Sequence, residues 1–180
     1  MHHSSPISSI SLNFSLLFLC GDSFFSSAMA GMAALEALTD RLYGFIQSME
    51  DEGIVDYHFE ECYNMKEANG SVLFTEIIPT YISDSESTLV HMTNVLDQPI
   101  VDYNQLEQLC IKLKGGTTCI GACRMAASCG VFCQTTAARS KEDCMLMLEV
   151  IKGDFFTLRN KLETLLELEK RIVTNDYQGS

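Results

Sequence analysis

The segment LEVIKGDFFTLRNKLETLLELEKRI, from Leu148 to Ile172, carries the strongest structural signal in the chain. Its apolar residues recur at steps of three, four and seven: Leu148, Ile151, Phe155, Leu158, Leu162, Leu165 and Ile172. Such steps place these side chains on one face of an α-helix. A mean spacing of about 3.5 residues is typical of helices that pack side by side at a shallow angle. The segment therefore predicts a long helix in a bundle.

Five segments upstream of it also have helical periodicity. They lie at residues 32–50, 56–65 and 71–97, from Asp102 to a junction at 119–122, and at 122–136. Capping signals precede three helices: Ser71 the third, Asp102 with Gln105 the fourth, and Ser140 with Asp143 the sixth. Because the connections are short, consecutive helices should be antiparallel. We predict an all-α fold in which the third to sixth helices form an antiparallel four-helix bundle and two additional N-terminal helices cover it.

Domain boundaries follow from a change in composition near residue 32. Residues 1–31 are rich in Ser and Phe, with an apolar run around Leu12 to Cys20. A secretory signal is one interpretation, but the segment begins without Lys or Arg, and its apolar run is too short to span a bilayer. We expect a disordered or non-native extension at 1–31, a helical domain at 32–176 and a short tail at 177–180.

Composition limits the classes of function. The chain has 180 residues, 47% of them hydrophobic, and a net charge of −12. This charge argues against a nucleic-acid surface and favours protein partners. Residues 32–111 hold 15 acidic and two basic residues, whereas residues 112–180 hold eight acidic and ten basic ones. The asymmetry fits either solvated helix faces or a docking role.

Eight cysteines raise the question of a metal or redox site. Two pairs at i, i+4 (Cys119 with Cys123, and Cys129 with Cys133) would share a helix face. The chain has no CxxC motif and no histidine after His91, so a zinc site is disfavoured and we expect no metal and no cofactor. Free cysteines commonly fill cores, which is the interpretation we favour, in a reducing cytosolic or nuclear setting. A redox or disulfide role is the other alternative.

The segment CIKLKGGTTCIGACR, from Cys110 to Arg124, is the candidate functional site. Its paired glycines, Gly115 and Gly116, are unfavourable in a helix and indicate either its end or a close approach by another molecule or helix. Lys112 and Lys114 lie just before them.

This segment resembles the core of the plant histidine-containing phosphotransfer proteins, which reads His-Gln-Leu-Lys-Gly-Ser-Ser followed by a spacer and Ile-Gly-Ala. Leu113, Lys114, Gly115 and the Ile-Gly-Ala at 120–122 match it. The segments LYGFIQSMEDEG (42–53), LDQPIVDY (96–103) and NKLETLLELE (160–169) also resemble the family, in the same order. Two positions depart: Ile111 stands where the family has its phosphoacceptor histidine, and Cys133 stands where it often has Arg.

The resemblance implies a pseudo-phosphotransfer protein that is not an enzyme. Receiver domains of hybrid histidine kinases and of response regulators would bind at Ile111, Lys112, Lys114, Gly115 and Gly116 without transferring phosphate. The protein would modulate cytokinin signalling, mainly by inhibition, as a monomer in the cytoplasm and nucleus, with no nucleic-acid or membrane partner. Two alternatives stay open: an active relay protein that uses His91 or another histidine, and a helical interaction protein with no relay role.

Overall fold

Helices make up the described part of the protein. The computed structural model describes the backbone of residues 13–69 and 72–178 and the side chains of residues 29–65 and 76–175. The elements are α1 (Asn13–Asp51), α2 (Tyr57–Asn69), α3 (Val72–Asp97), α4 (Tyr103–Cys119), α5 (Cys123–Ala137) and α6 (Lys141–Gln178). Within these residues no strand occurs, and the predicted all-α class is confirmed. Ser71, predicted to cap the third helix, lies outside the described residues.

The first helix begins earlier than its periodicity predicts. The apolar periodicity predicts a start at Met32, whereas helical backbone in α1 begins at Asn13. The predicted extension at 1–31 therefore overlaps α1, and residues 1–12 lie outside the described part. The division into a domain at 32–176 and a tail at 177–180 stays a prediction.

The chain divides into two compact units, of which Leu42–Glu167 contains the bundle. Within this unit α4 packs beside α3 and α5. Helix α6 contacts α5, where the Cys144 thiol donates to Thr135 Oγ1 at 3.5 Å. It also contacts α3, through an ion pair between Arg159 and Glu86. These contacts agree with the predicted four-helix bundle of α3 to α6.

The two N-terminal helices cover this bundle. Helix α2 packs on α3. Helix α1 meets α2 where the rings of Tyr43 and Tyr63 lie edge to face, 5.8 Å apart. Lys161 of α6 lies 5.4 Å from the Phe45 ring of α1. The predicted covering role of both helices is confirmed for the part of α1 in this unit.

The core of the bundle unit contains the apolar face predicted for the last helix. Six of its seven members are buried (Leu148, Ile151, Phe155, Leu158, Leu162 and Leu165), and the seventh, Ile172, is half-buried. Burying a side chain of this size stabilises the fold by about 1.5 to 3 kcal/mol. The repeat in the sequence therefore reports directly on the packing of α6.

Two predicted caps begin helices of the bundle. The Asp102 carboxylate accepts hydrogen bonds from the backbone N–H groups of Asn104 (3.1 Å) and Gln105 (3.0 Å), at the start of α4. The Ser140 hydroxyl accepts from the Asp143 N–H at 3.3 Å, at the start of α6. Each cap satisfies backbone donors that have no partner within the helix.

Ion pairs join the acidic first part of the chain to its basic second part. Lys161 Nζ lies 2.6 Å from Glu52 Oε1. The pair of Arg159 with Glu86 connects the same two parts. Some of the acidic residues of the first part are therefore paired with basic residues of the second part within the folded chain.

The second compact unit combines α1 up to Arg41 with α6 from Leu168. In its α1 part the Thr39 hydroxyl donates to the Leu35 carbonyl, and in its α6 part Thr174 donates to the Lys170 carbonyl. Leu168 and Glu169 are buried. Across the described residues of both units, none of the helices has the length and apolar character needed to span a membrane.

Candidate functional site

Ile111 lies at the middle of α4 and faces solvent. Its side chain is 57% exposed, which is high for an isoleucine. The opposite face of α4 is buried through Leu106, Cys110, Leu113 and Thr117. Since residues four apart share a helix face, Gly115 lies beside Ile111 on the outer surface. The helix thus presents an aliphatic side chain where the sequence resemblance expects an imidazole.

Gly115 and Gly116 have different surroundings, although they are adjacent. A Cβ added at Gly115 would meet nothing within 4 Å, so this part of the outer surface is open. A Cβ at Gly116 would lie 3.6 Å from the ring of Tyr81 on α3. Gly115 therefore lowers the outer surface beside Ile111, whereas a side chain at Gly116 would touch the Tyr81 ring at an ordinary van der Waals distance.

The paired glycines do not end the helix. Helix α4 continues through them to Cys119, and the chain turns at Gly121, which has a φ of 70°. A Cβ at Gly121 would lie 2.5 Å from the backbone nitrogen of Phe59. The Gly121 carbonyl accepts a hydrogen bond from the Asp56 N–H at 2.9 Å. The close approach and the left-handed conformation both require glycine here.

Lys114 lies across the neighbouring helix. Its Nζ is 3.6 Å from the position that a Cβ would take at Gly130 of α5. Because Gly130 has no side chain, the lysine stem can cross α5 with its ammonium group at the surface. The structure therefore places a positive charge on the α5 side of Ile111.

Lys112 extends to the other side, toward α3. A groove of about 260 Å³ lies between α3 and α4, and Lys112 lines it together with Tyr81 and Asp84. The two lysines thus flank Ile111 from opposite sides. Of the five residues predicted to form the site, Ile111 and Gly115 lie at its centre, Lys112 and Lys114 at its edges, and Gly116 faces the Tyr81 ring.

Both histidines of the described bundle unit lie at other places. His58, on α2, is exposed, and its Nδ1 is 3.2 Å from Glu61 Oε2. His91, on α3, lines a groove together with Gln105 and Leu109 of α4. Both α4 residues precede Ile111 in the sequence. Neither imidazole occupies the position of Ile111.

A cysteine cluster lies directly beneath the site. The Cys110 thiol donates to the Cys129 carbonyl at 3.2 Å, and the Cys133 thiol donates to Cys110 Sγ at 3.3 Å. Cys110 and Cys129 are buried and Cys133 is half-buried. The side chains that meet are therefore not the i, i+4 pairs that the sequence suggested. Among the described residues, no group of three or more His, Cys, Asp or Glu side chains is arranged to hold a metal ion.

Three structural partners of the site escaped the sequence reasoning: Tyr81, Gly130 and the thiol pair formed by Cys110 and Cys133. Each partner lies on a different helix from the residue it meets. The periodicity of one helix does not report which residues of the next helix lie opposite. The glycine at 130, unfavourable inside a helix, was the one local signal available.

Comparisons with known proteins agree on one family. A rice protein (Oryza sativa subsp. japonica) named histidine-containing phosphotransfer protein 2 is 30% identical over 144 residues, which are 79% of this chain and 97% of the rice protein. The rice pseudo histidine-containing phosphotransfer protein 2 is 28% identical over 134 residues, 74% of this chain and 89% of that protein.

A solved structure gives the same result. The crystal structure of a histidine-containing phosphotransfer protein from maize matches with a TM-score of 0.72 and 29% identity, over 75% of this chain and 99% of the maize chain. No protein-family model matches the chain.

Proposed function

The chain belongs to the plant histidine-containing phosphotransfer family, and we propose that it binds receiver domains without carrying phosphate itself. Members of this family mediate phosphoryl transfer in two-component phosphorelays and are not classical enzymes. Relatives named as histidine-containing and as pseudo histidine-containing proteins both match the chain. Whether this chain carries phosphate or only binds receiver domains is therefore argued from the residues of the site, and above all from Ile111.

Ile111 is the observation that carries the proposal. Transfer of a phosphoryl group from an aspartyl phosphate needs a nucleophile in line with the bond that breaks. A side chain made only of carbon and hydrogen has no lone pair to offer. The neighbouring lysines extend toward α3 and α5, to either side of the outer face on which Ile111 lies. This arrangement supports a surface that cannot accept phosphate.

The rest of the surface supports docking. Ile111 is an exposed apolar residue, Gly115 leaves open space beside it, and Lys114 provides a cation at its edge. An apolar centre with a charged rim is the usual anatomy of a protein interface. A receiver domain presents acidic residues at its phosphorylation site, which the lysines would attract.

The proposal also specifies the partners, the signalling pathway, the oligomeric state and the cellular location. The partners would be receiver domains of hybrid histidine kinases and response regulators, and occupancy of those domains would reduce the flow of phosphate in cytokinin signalling. The protein would act as a monomer in the cytoplasm and nucleus.

A phosphotransfer assay tests the missing nucleophile. Wild type and Ile111→His are each incubated with a receiver domain that carries labelled aspartyl phosphate. We expect no acid-labile phosphate on the wild type. We also expect transfer to Ile111→His, because the surface around position 111 would already suit a receiver. Labelled phosphate on the wild-type chain would refute the proposal and favour an active relay through another histidine.

A competition assay tests docking separately. Increasing amounts of the wild-type protein are added to a relay containing a kinase receiver and an active histidine-containing phosphotransfer protein. We expect the rate of phosphate transfer to the active protein to fall as receiver sites fill. An unchanged rate, at concentrations well above that of the active protein, would show that this chain does not occupy receivers.

A further inference from the structure

Cys110 and Cys133 bring two thiols together between α4 and α5. Their Sγ atoms are 3.3 Å apart, and the two residues are separated by a turn and most of a helix in the sequence. We propose that these two residues form a modification site, in which a peroxide converts the thiol pair into a reversible intramolecular disulfide. The inference concerns the chemistry of this pair and is independent of receiver binding.

The geometry favours bond formation within the pair. A disulfide has an S–S length of about 2.05 Å, so the sulfur atoms need to approach by about 1.3 Å. Cys110 donates its S–H to the Cys129 carbonyl and accepts from Cys133. The lone pairs of Cys110 therefore face the Cys133 sulfur.

Access of the oxidant orders the two steps. Cys133 is half-buried, whereas Cys110 is fully buried. A hydrogen bond with Cys129 and burial raise the pKa of the Cys110 thiol, which lowers its reactivity toward peroxide. Peroxide therefore reaches and oxidises Cys133 first, and Cys110 acts as the resolving thiol.

The chemistry balances in two steps. Cys133 attacks hydrogen peroxide, the O–O bond breaks, and Cys133 sulfenic acid and one water are formed. Cys110 then attacks the sulfenic sulfur, the S–O bond breaks, and the proton of Cys110 leaves with the hydroxide as a second water. Two thiols have lost two electrons, and one peroxide has been reduced to two waters. A dithiol reductant reverses the reaction by thiol–disulfide exchange.

Other thiols of the bundle unit donate hydrogen bonds to oxygen atoms. Cys144 donates to Thr135 Oγ1, and Cys62 donates to the Cys119 carbonyl at 3.4 Å. The Cys129 thiol also lies within hydrogen-bonding distance of Cys110, and this contact lowers the pKa of the Cys129 thiol, but Cys129 is fully buried whereas Cys133 is half-buried and open to peroxide. The arrangement thus selects Cys133 as the partner of Cys110.

Mass spectrometry of the full chain tests the site. The reduced protein is treated with about one equivalent of hydrogen peroxide, free thiols are alkylated, and the protein is digested without reductant. We expect one peptide pair joined through Cys110 and Cys133, with a mass about 2 Da below that of the two thiol peptides. Dithiothreitol should restore both alkylatable thiols.

Two variants keep the test decisive. Cys133→Ser, at the half-buried position, should abolish the linked pair while retaining the helical circular dichroism of the wild type. Cys144→Ser, which removes a buried thiol on α6, should leave the linked pair unchanged. A wild-type link through Cys129 or Cys119 in place of Cys133, or oxidation of Cys133 without any link to Cys110, would overturn the proposal.

Discussion

Replacing Ile111 with aspartate should weaken receiver binding through loss of apolar contact. Complete burial of an isoleucine is worth roughly 1.5 to 3 kcal/mol. Since 57% of the Ile111 surface is exposed in the free protein, a receiver that covers it gains about 1 to 2 kcal/mol. Alanine keeps the β-carbon, so Ile111→Ala loses only about 0.7 to 1.4 kcal/mol of this gain. A factor of ten in affinity corresponds to about 1.4 kcal/mol, so Ile111→Ala should raise Kd roughly three- to tenfold.

Aspartate adds the cost of desolvating a carboxylate beneath the receiver. Attraction to Lys112 and Lys114 offsets part of that cost, because both lysines flank the position. The combined loss should be about 2 to 3 kcal/mol, which raises Kd roughly 30- to 150-fold. The order of affinity, wild type above Ile111→Ala above Ile111→Asp, is the expected signature.

Isothermal titration with an isolated receiver domain, at one fixed salt concentration, measures these differences. Leu146→Asp is the matched control, because Leu146 is also an exposed aliphatic residue on a helix, 68% accessible. It lies on α6 and not on α4, so its replacement should change Kd by less than about twofold. Both variants should unfold within a few degrees of the wild type, since exposed helix positions tolerate aspartate at a cost of about 0.5 kcal/mol.

Equal affinity of Ile111→Asp and the wild type would refute the argument that the outer face of α4 is the docking surface. An equal loss of affinity in Leu146→Asp and Ile111→Asp would refute it as well, because the effect would then follow from charge alone. Gain of phosphate transfer in Ile111→His together with a weakened Ile111→Asp would support both parts of the proposed function.

Four further variants test stability. Gly121→Ala should lower the free energy of unfolding by roughly 2 to 4 kcal/mol, because its φ is 70° and its Cβ would lie 2.5 Å from the Phe59 nitrogen. Gly115→Ala, with open space at its Cβ, should raise it by up to about 1 kcal/mol, and urea unfolding compares the two. Asp102→Ala should cost about 1 kcal/mol in the same assay through loss of the α4 cap, and a midpoint equal to the wild type would contradict that role. Burial raises the pKa of Glu50, and among the described residues its Oε1 is a buried oxygen without a hydrogen-bond partner. Its charged form is therefore penalised as pH rises through the folded pKa, so Glu50→Gln should melt above the wild type at pH 7 and no higher near pH 4.

The predictions from the sequence agree best with the structure in α6 and α4. The apolar repeat of α6 predicted six residues that are buried and one, Ile172, that is half-buried, and Asp102 predicted where α4 begins. Both are local signals, in which nearby residues report on one helix. The paired glycines were harder to interpret, because a helix end and a close approach have the same local signature. Neither glycine of the pair makes a close approach; that approach is at Gly121, beyond the pair, and the helix itself ends at Cys119.

The sequence by itself therefore determined the helices, their order, the bundle and the position of Ile111 on α4, because periodicity, caps and motif spacing are properties of consecutive residues. Tertiary structure alone decided which side chains meet across helices. Lys114 lies over Gly130, and Cys133 lies 3.3 Å from Cys110. The reason is physical: the rotation and shift of one helix against the next depend on how both surfaces pack together, and neither helix records them in its own sequence.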